Sequence, residues 1–101
     1  MSQAKNVVNQ AITDNRIAVF GKGHCKYTRK VRQALDDLQL EYWTIDLDSD
    51  ENGEEIQNYL FLRTGQRTVP NIFINKRHVG GSDNFMKIKN SGHLQVLLDR
   101  N

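Results

Sequence analysis

Between residues 17 and 45 the chain runs apolar segment, glycine-bearing loop, amphipathic stretch and second apolar segment, an order that leaves few ways to fold. Ile17, Ala18, Val19 and Phe20 are continuously apolar and end at Gly21, the pattern of a strand buried on both faces. Gly21, Lys22, Gly23 and His24 form a loop. Val31, Ala34, Leu35 and Leu38 then mark one face of a helix that starts near Cys25 and ends before Leu40. Tyr42, Trp43, Thr44 and Ile45 are aromatic and β-branched, which predicts a second strand. Strand, loop, helix and strand make a βαβ unit, and the hand of its crossover is nearly fixed.

The flanking segments extend this unit. Val7, Val8, Ala11 and Ile12 recur at helical spacing over roughly the first fifteen residues, with Asp14 and Asn15 as the stop. Asp48, Ser49 and Asp50 offer N-cap chemistry for a third helix carrying Ile56, Tyr59, Leu60 and Leu62, and Gly65 suits its C-terminal stop. Residues 71–74 and 77–79 predict two short strands joined by a turn at Asn75 and Lys76. A last helical stretch follows Gly80, Gly81, Ser82 and Asp83 and is broken by Gly92. The expectation is an α/β fold, a four-stranded mixed β-sheet with helices on both faces.

With 101 residues, 38% hydrophobic and 26% charged, the chain fits one globular domain over residues 1–101. No apolar run approaches the roughly 20 residues of a membrane span, and residues 1–10 are polar, so neither a membrane anchor nor a secretory signal is expected. One cysteine excludes an internal disulfide and fits a reducing, cytoplasmic setting. A net charge of +2 does not imply nucleic acid. The charges are segregated, however. Five basic and no acidic residues lie between Lys22 and Arg32, and six acidic and no basic ones between Asp46 and Glu55. Such a block is commonly a solvated face, and the acidic one is open to that reading.

Cys25 sits inside the basic block, where a strand has ended and a helix begins. The first turn of a helix leaves unpaired N–H groups and a partial positive charge. A thiol there, near Lys22, Lys26 and Arg29, loses its proton more readily, with pKa values of roughly 3.5–7.5 at such sites. Free cysteine is also a common core residue, but this position favours chemistry. Thr28, one helical turn on, either hydrogen-bonds the thiolate or lies on the helix surface. Tyr27 packs over the site or is a partly exposed aromatic. His24 reads as a solvent-facing loop residue, since nothing in the sequence supplies the orienting partner and oxyanion hole of a Cys–His hydrolase.

Three segments, in order and at matching distances, resemble the glutaredoxin family: Gly21 to Thr28 around the cysteine, Gly65 to Ile74 with Thr68, Val69 and Pro70, and His78 to Asp83 with Gly80 and Gly81. The resemblance spans about residues 17–98 and implies a thioredoxin fold, a glutathione site and a monomeric glutathione-dependent disulfide oxidoreductase. It implies Cys25 as the catalytic thiol and a cis Pro70 that turns the Val69 backbone toward the glutathione cysteinyl unit. Lys22, Gln66 and Arg67 would hold the glycine carboxylate, and Gly81, Ser82 and Asp83 the γ-glutamyl end, with Tyr27 and Thr68 beside the ligand and Lys26, Thr28 and Arg29 in support. Glutathionylated proteins would be substrates, with glutathione reductase coupled only through oxidised glutathione. The active-site stretch departs from the family's Cys-Pro-Tyr-Cys and Cys-Gly-Phe-Ser forms, because Lys26 and Thr28 replace the proline and second cysteine of the first. Ser82 stands where the family often has cysteine, and Asn84 where an acidic residue is common. An alternative implied by the family is a dimer holding a [2Fe–2S] cluster through Cys25 and glutathione thiols.

Overall fold

The computed structural model describes residues 2–100; Met1, at the edge of the expected first helix, and Asn101 lie outside the described residues. The elements are α1 (Ser2–Asp14), β1 (Ile17–Gly21), α2 (Lys26–Asp37), β2 (Trp43–Asp46), α3 (Gly53–Thr64), β3 (Asn71–Ile74), β4 (Arg77–Gly80), α4 (Ser82–Asn90) and α5 (His93–Asp99). The strands form one sheet in the order β2-β1-β3-β4. β1 pairs parallel with β2, while β1 with β3 and β3 with β4 are antiparallel.

The continuous apolar character of β1 follows from its place in the middle of this sheet, covered on both faces. Side chains alternate along a strand, so Ala18 and Phe20 enter one core and Ile17 and Val19 the other. The first core joins α1 and α3 through Val8, Ala11, Ile56 and Leu60, with Phe73 from β3. The second joins α2, α4 and α5 through Val31, Leu35, Phe85, Leu94 and Leu98, with Ile72 and Ile74 from β3. Layers on both faces and the mixed sheet are as the sequence predicts.

Several boundaries differ from expectation. The second strand begins at Trp43, and the Tyr42 hydroxyl donates instead to Asp36 Oδ1 at 2.9 Å. The third helix is not capped by residues 48–50. It starts at Gly53 with Asn52 in the cap position; Asp50 Oδ1 accepts from the Asn52 N–H at 2.8 Å just outside the helix, and the Asp48 carboxylate is turned away to the loop after β1. Gly53 is required there, since a Cβ would lie 1.9 Å from the Leu47 carbonyl oxygen. Leu38 and Leu62 point outward rather than into the core, at 44% and 78% exposure. The stop at Gly65 holds, in the left-handed region at φ 79°. The turn at Asn75 and Lys76 has positive φ at both positions, the geometry of a tight two-residue hairpin. No helix among the described residues is long and apolar enough to cross a membrane.

Candidate active site

The loop after β1 delivers Cys25 to the N-cap position of α2, in extended backbone at φ −84° and ψ 122°. The turn is closed by the Cys25 N–H donating to the Lys22 carbonyl at 2.9 Å, and α2 opens with the Arg29 N–H donating to the Cys25 carbonyl at 3.1 Å. Thr28 is fully buried, not on the helix surface. Its Oγ1 accepts from the Lys22 N–H at 3.2 Å, and its methyl lies against Gly21, where a Cβ would come within 2.3 Å of Thr28 Cγ2. The glycine that ends the strand is therefore what lets the helix seat its threonine.

Burial works to raise the Cys25 pKa. Against it stand the Thr28 N–H and hydroxyl, the Tyr27 N–H and the Arg29 charge, which together hold the thiol below its ordinary value. The Arg29 guanidinium also donates to the Gly23 carbonyl at 3.1 Å, which ties it to the loop before the cysteine. Lys26 Nζ lies 5.2 Å from the centroid of the Tyr27 ring, and Tyr27 is 48% exposed at the rim of the site.

The second segment enters through β3. Phe20, near the end of β1, is the register partner of Asn71 at the start of β3, so the residues before Asn71 arrive beside the loop that follows β1. The Val69–Pro70 peptide bond is cis. The Gln66 amide donates to the carbonyls of Thr68 and Pro70, both at 3.0 Å, and so braces this turn from within. Arg67 is exposed, its guanidinium carbon 4.1 Å from the centroid of the Phe61 ring and its carbonyl accepting from Gln57 Nε2 at 2.7 Å. Gly81 caps α4, Ser82 is its buried first residue, and Asp83 lies in its exposed first turn. Tyr27, Thr68, Val69, Gly81, Ser82 and Asp83 line one hollow of about 430 Å³, together with Asn84. A larger hollow of about 620 Å³ lies around Asp14, Arg16, Asp36 and Tyr42, at the opposite end of β1, and has no thiol near it.

Some of the site was not anticipated. His24 is exposed, as expected, but its ring lies 2.5 Å from Asp48 Oδ2. The acidic block is likewise not simply a solvated face: Asp46 pairs with Arg32 at 2.7 Å, and Asp48 grips the loop of residues 23–24. The opposition of a basic and an acidic block was the signal for these pairs. Gln57 and Phe61, which hold Arg67, left no distinguishing mark in the sequence. A [2Fe–2S] cluster needs four thiolates. The chain has one cysteine, and among the described residues no group of three or more His, Cys, Asp or Glu is placed to hold a metal ion, so one chain alone does not furnish such a site.

A thiol on the N-cap residue of a helix and a cis-proline turn, at one end of a four-stranded sheet covered by helices on both faces, define a thioredoxin-fold redox protein. The glutaredoxin family model matches residues 17–79, and the chain belongs to that family. It is 41% identical over 98 residues to Glutaredoxin-1 of Rhizophagus irregularis, covering 97% of each chain. It is also 41% identical over 91 residues to Monothiol glutaredoxin-S6 of Oryza sativa subsp. japonica, covering 90% of this chain and 70% of that one. Among solved structures it superposes on a buckwheat glutaredoxin–glutathione complex with a TM-score of 0.91 and 39% identity, covering 96% of this chain and 88% of the other.

Proposed function

We propose that this glutaredoxin is a glutathione-dependent thiol–disulfide oxidoreductase that removes glutathione from protein mixed disulfides by a monothiol route in a reducing, cytoplasmic compartment. The observation that carries the reading is the Cys25 thiol, depressed in pKa and solitary, at the start of α2. Similarity to a glutaredoxin seen in complex with glutathione supports the ligand.

The Cys25 thiolate attacks the glutathione sulfur of a protein–glutathione disulfide. A bond forms between Cys25 and glutathione, the original disulfide breaks, and the protein leaves as its thiolate. A second glutathione thiolate then attacks the glutathione sulfur on Cys25, giving oxidised glutathione and returning the Cys25 thiolate. Thr28 has no sulfur, so it cannot resolve the intermediate. Which sulfur is attacked depends on access and on the leaving thiol, and a site that grips the glutathionyl group settles both.

In this assignment the Val69 backbone pairs with the cysteinyl unit like an added strand. Lys22 and Arg67 hold the glycine carboxylate. Gln66 joins them from the proline turn, which its amide also braces through the carbonyls of Thr68 and Pro70. The start of α4, with Gly81 and Ser82, receives the γ-glutamyl carboxylate, and Asp83 its ammonium. A steady-state assay with a glutathionylated peptide, glutathione and glutathione reductase tests the proposal. Turnover that is lost in Cys25→Ser is expected, and a parent protein that leaves the peptide glutathionylated refutes it.

A further inference from the structure

The loop before Cys25 is held from outside its own βαβ connection by a single carboxylate. Asp48 follows β2 in the chain and reaches across to this loop. Its Oδ1 accepts from the Gly23 N–H at 3.1 Å and its Oδ2 from the His24 N–H at 3.3 Å, while His24 Nδ1 lies 2.5 Å from the same Oδ2. A neighbouring bond, from the Leu47 N–H to the Gly21 carbonyl at 2.7 Å, brings the two loops together. On the other side, Arg29 holds the Gly23 carbonyl. Residues 23 and 24 are thus fixed through their N–H groups by Asp48 and through a carbonyl by α2, and Cys25 is the next residue.

We propose that Asp48 is a positioning residue for the Cys25 thiol: by pinning the backbone of residues 23–24 it sets Cys25 against the N–H groups of Tyr27 and Thr28 and the Thr28 hydroxyl. This rests on the reading of Cys25 as the reactive thiol. The His24 hydrogen bond, with the N–H groups of Gly23 and His24, holds the Asp48 carboxyl down at about 2, so the group is ionised throughout the neutral range. The groups that meet this loop beside it are the His24 ring, Arg29 of α2, which holds the Gly23 carbonyl, and Asp46, which is paired with Arg32.

Position and charge make opposite demands, which makes the inference decidable. Removing a carboxylate near a thiol lowers the thiol pKa if only its charge matters. If Asp48 acts by position, its loss lets Cys25 drift from its donors and the pKa rises. The thiol pKa is read from the pH dependence of alkylation by iodoacetamide, which needs no glutathione. For Asp48→Ala the expected result is a rise of about 0.5–1 unit, the effect of weakening one hydrogen bond to the thiolate. His24→Ala keeps both backbone bonds and should leave the thiol pKa unchanged. Should Asp48→Ala not fold, Asp48→Asn, which retains an oxygen for the Gly23 N–H, is expected to give a smaller rise. An unchanged or lowered pKa in a folded Asp48 variant, or a rise in His24→Ala as large as that in Asp48→Ala, overturns the assignment. Failure of the parent to turn over a glutathionylated peptide bears on the proposed reaction and leaves this comparison intact.

Discussion

Replacing Thr28 by valine keeps the buried shape beside Gly21 and removes one oxygen that serves two partners. That oxygen accepts from the Lys22 N–H, and the hydroxyl is among the groups that hold the Cys25 thiol below its ordinary pKa. A hydrogen bond to a charged group is worth about 1.5–3 kcal/mol, and the low end applies to a thiol open to solvent on one side. At 1.36 kcal/mol per unit this predicts a rise of about one unit in the Cys25 pKa. The rise is partial because the Thr28 and Tyr27 N–H groups and the Arg29 charge remain. The unpaired Lys22 N–H is partly buried and costs about 1 kcal/mol, a fall of about 4–8 °C in the melting temperature for a domain of this size. Alkylation kinetics against pH measure the first effect and thermal unfolding the second. Thr28→Ser, which keeps the oxygen, should leave the pKa in place. A Thr28→Val protein with the parent's thiol pKa would show that the hydroxyl does not reach the sulfur.

Cys25→Ser should abolish turnover. Because the folded thiol pKa is depressed, its ionisation stabilises the parent relative to this variant above the ordinary thiol value of 9.0, and the advantage is lost as pH falls through the folded pKa; denaturant unfolding across that window checks the sign. Thr28→Cys places a second sulfur one turn from Cys25, and after oxidised glutathione mass spectrometry should find mainly an internal disulfide, where the parent carries one glutathione. A variant that stays glutathionylated means the two side chains do not meet. Gly53→Ala should destabilise by about 3 kcal/mol, the upper part of the overpacking range, since the new methyl meets the Leu47 backbone; an unfolding midpoint matching the parent's would contradict this.

The elements that were legible in the sequence are those whose partners are close along the chain or whose pattern repeats. β1 declared itself as a continuous apolar run, and the hairpin turn by Asn75, a residue that tolerates the positive φ it needs. The role of Asp48 is hidden for the opposite reason. A carboxylate just before a helix has a strong local use as a cap, and nothing nearby shows that two N–H groups on a distant loop will take it instead. Gln66 has a part that the sequence does not show: its segment marks the proline turn, but that its amide braces the turn emerges only from where the carbonyls of Thr68 and Pro70 point. Thr28 was ambiguous between surface and site until the absent side chain of Gly21 showed where it could go.

The antiparallel rung between Phe20 and Asn71 couples the state of the fold to access to its chemistry. The thiol loop and the proline turn are separated by half the chain, and this central pair of strands brings them together. A slip of this pairing by one residue would carry the proline turn away from the thiol loop while leaving the donors of α2 around Cys25 in place, so the register of two central strands sets the width of the site.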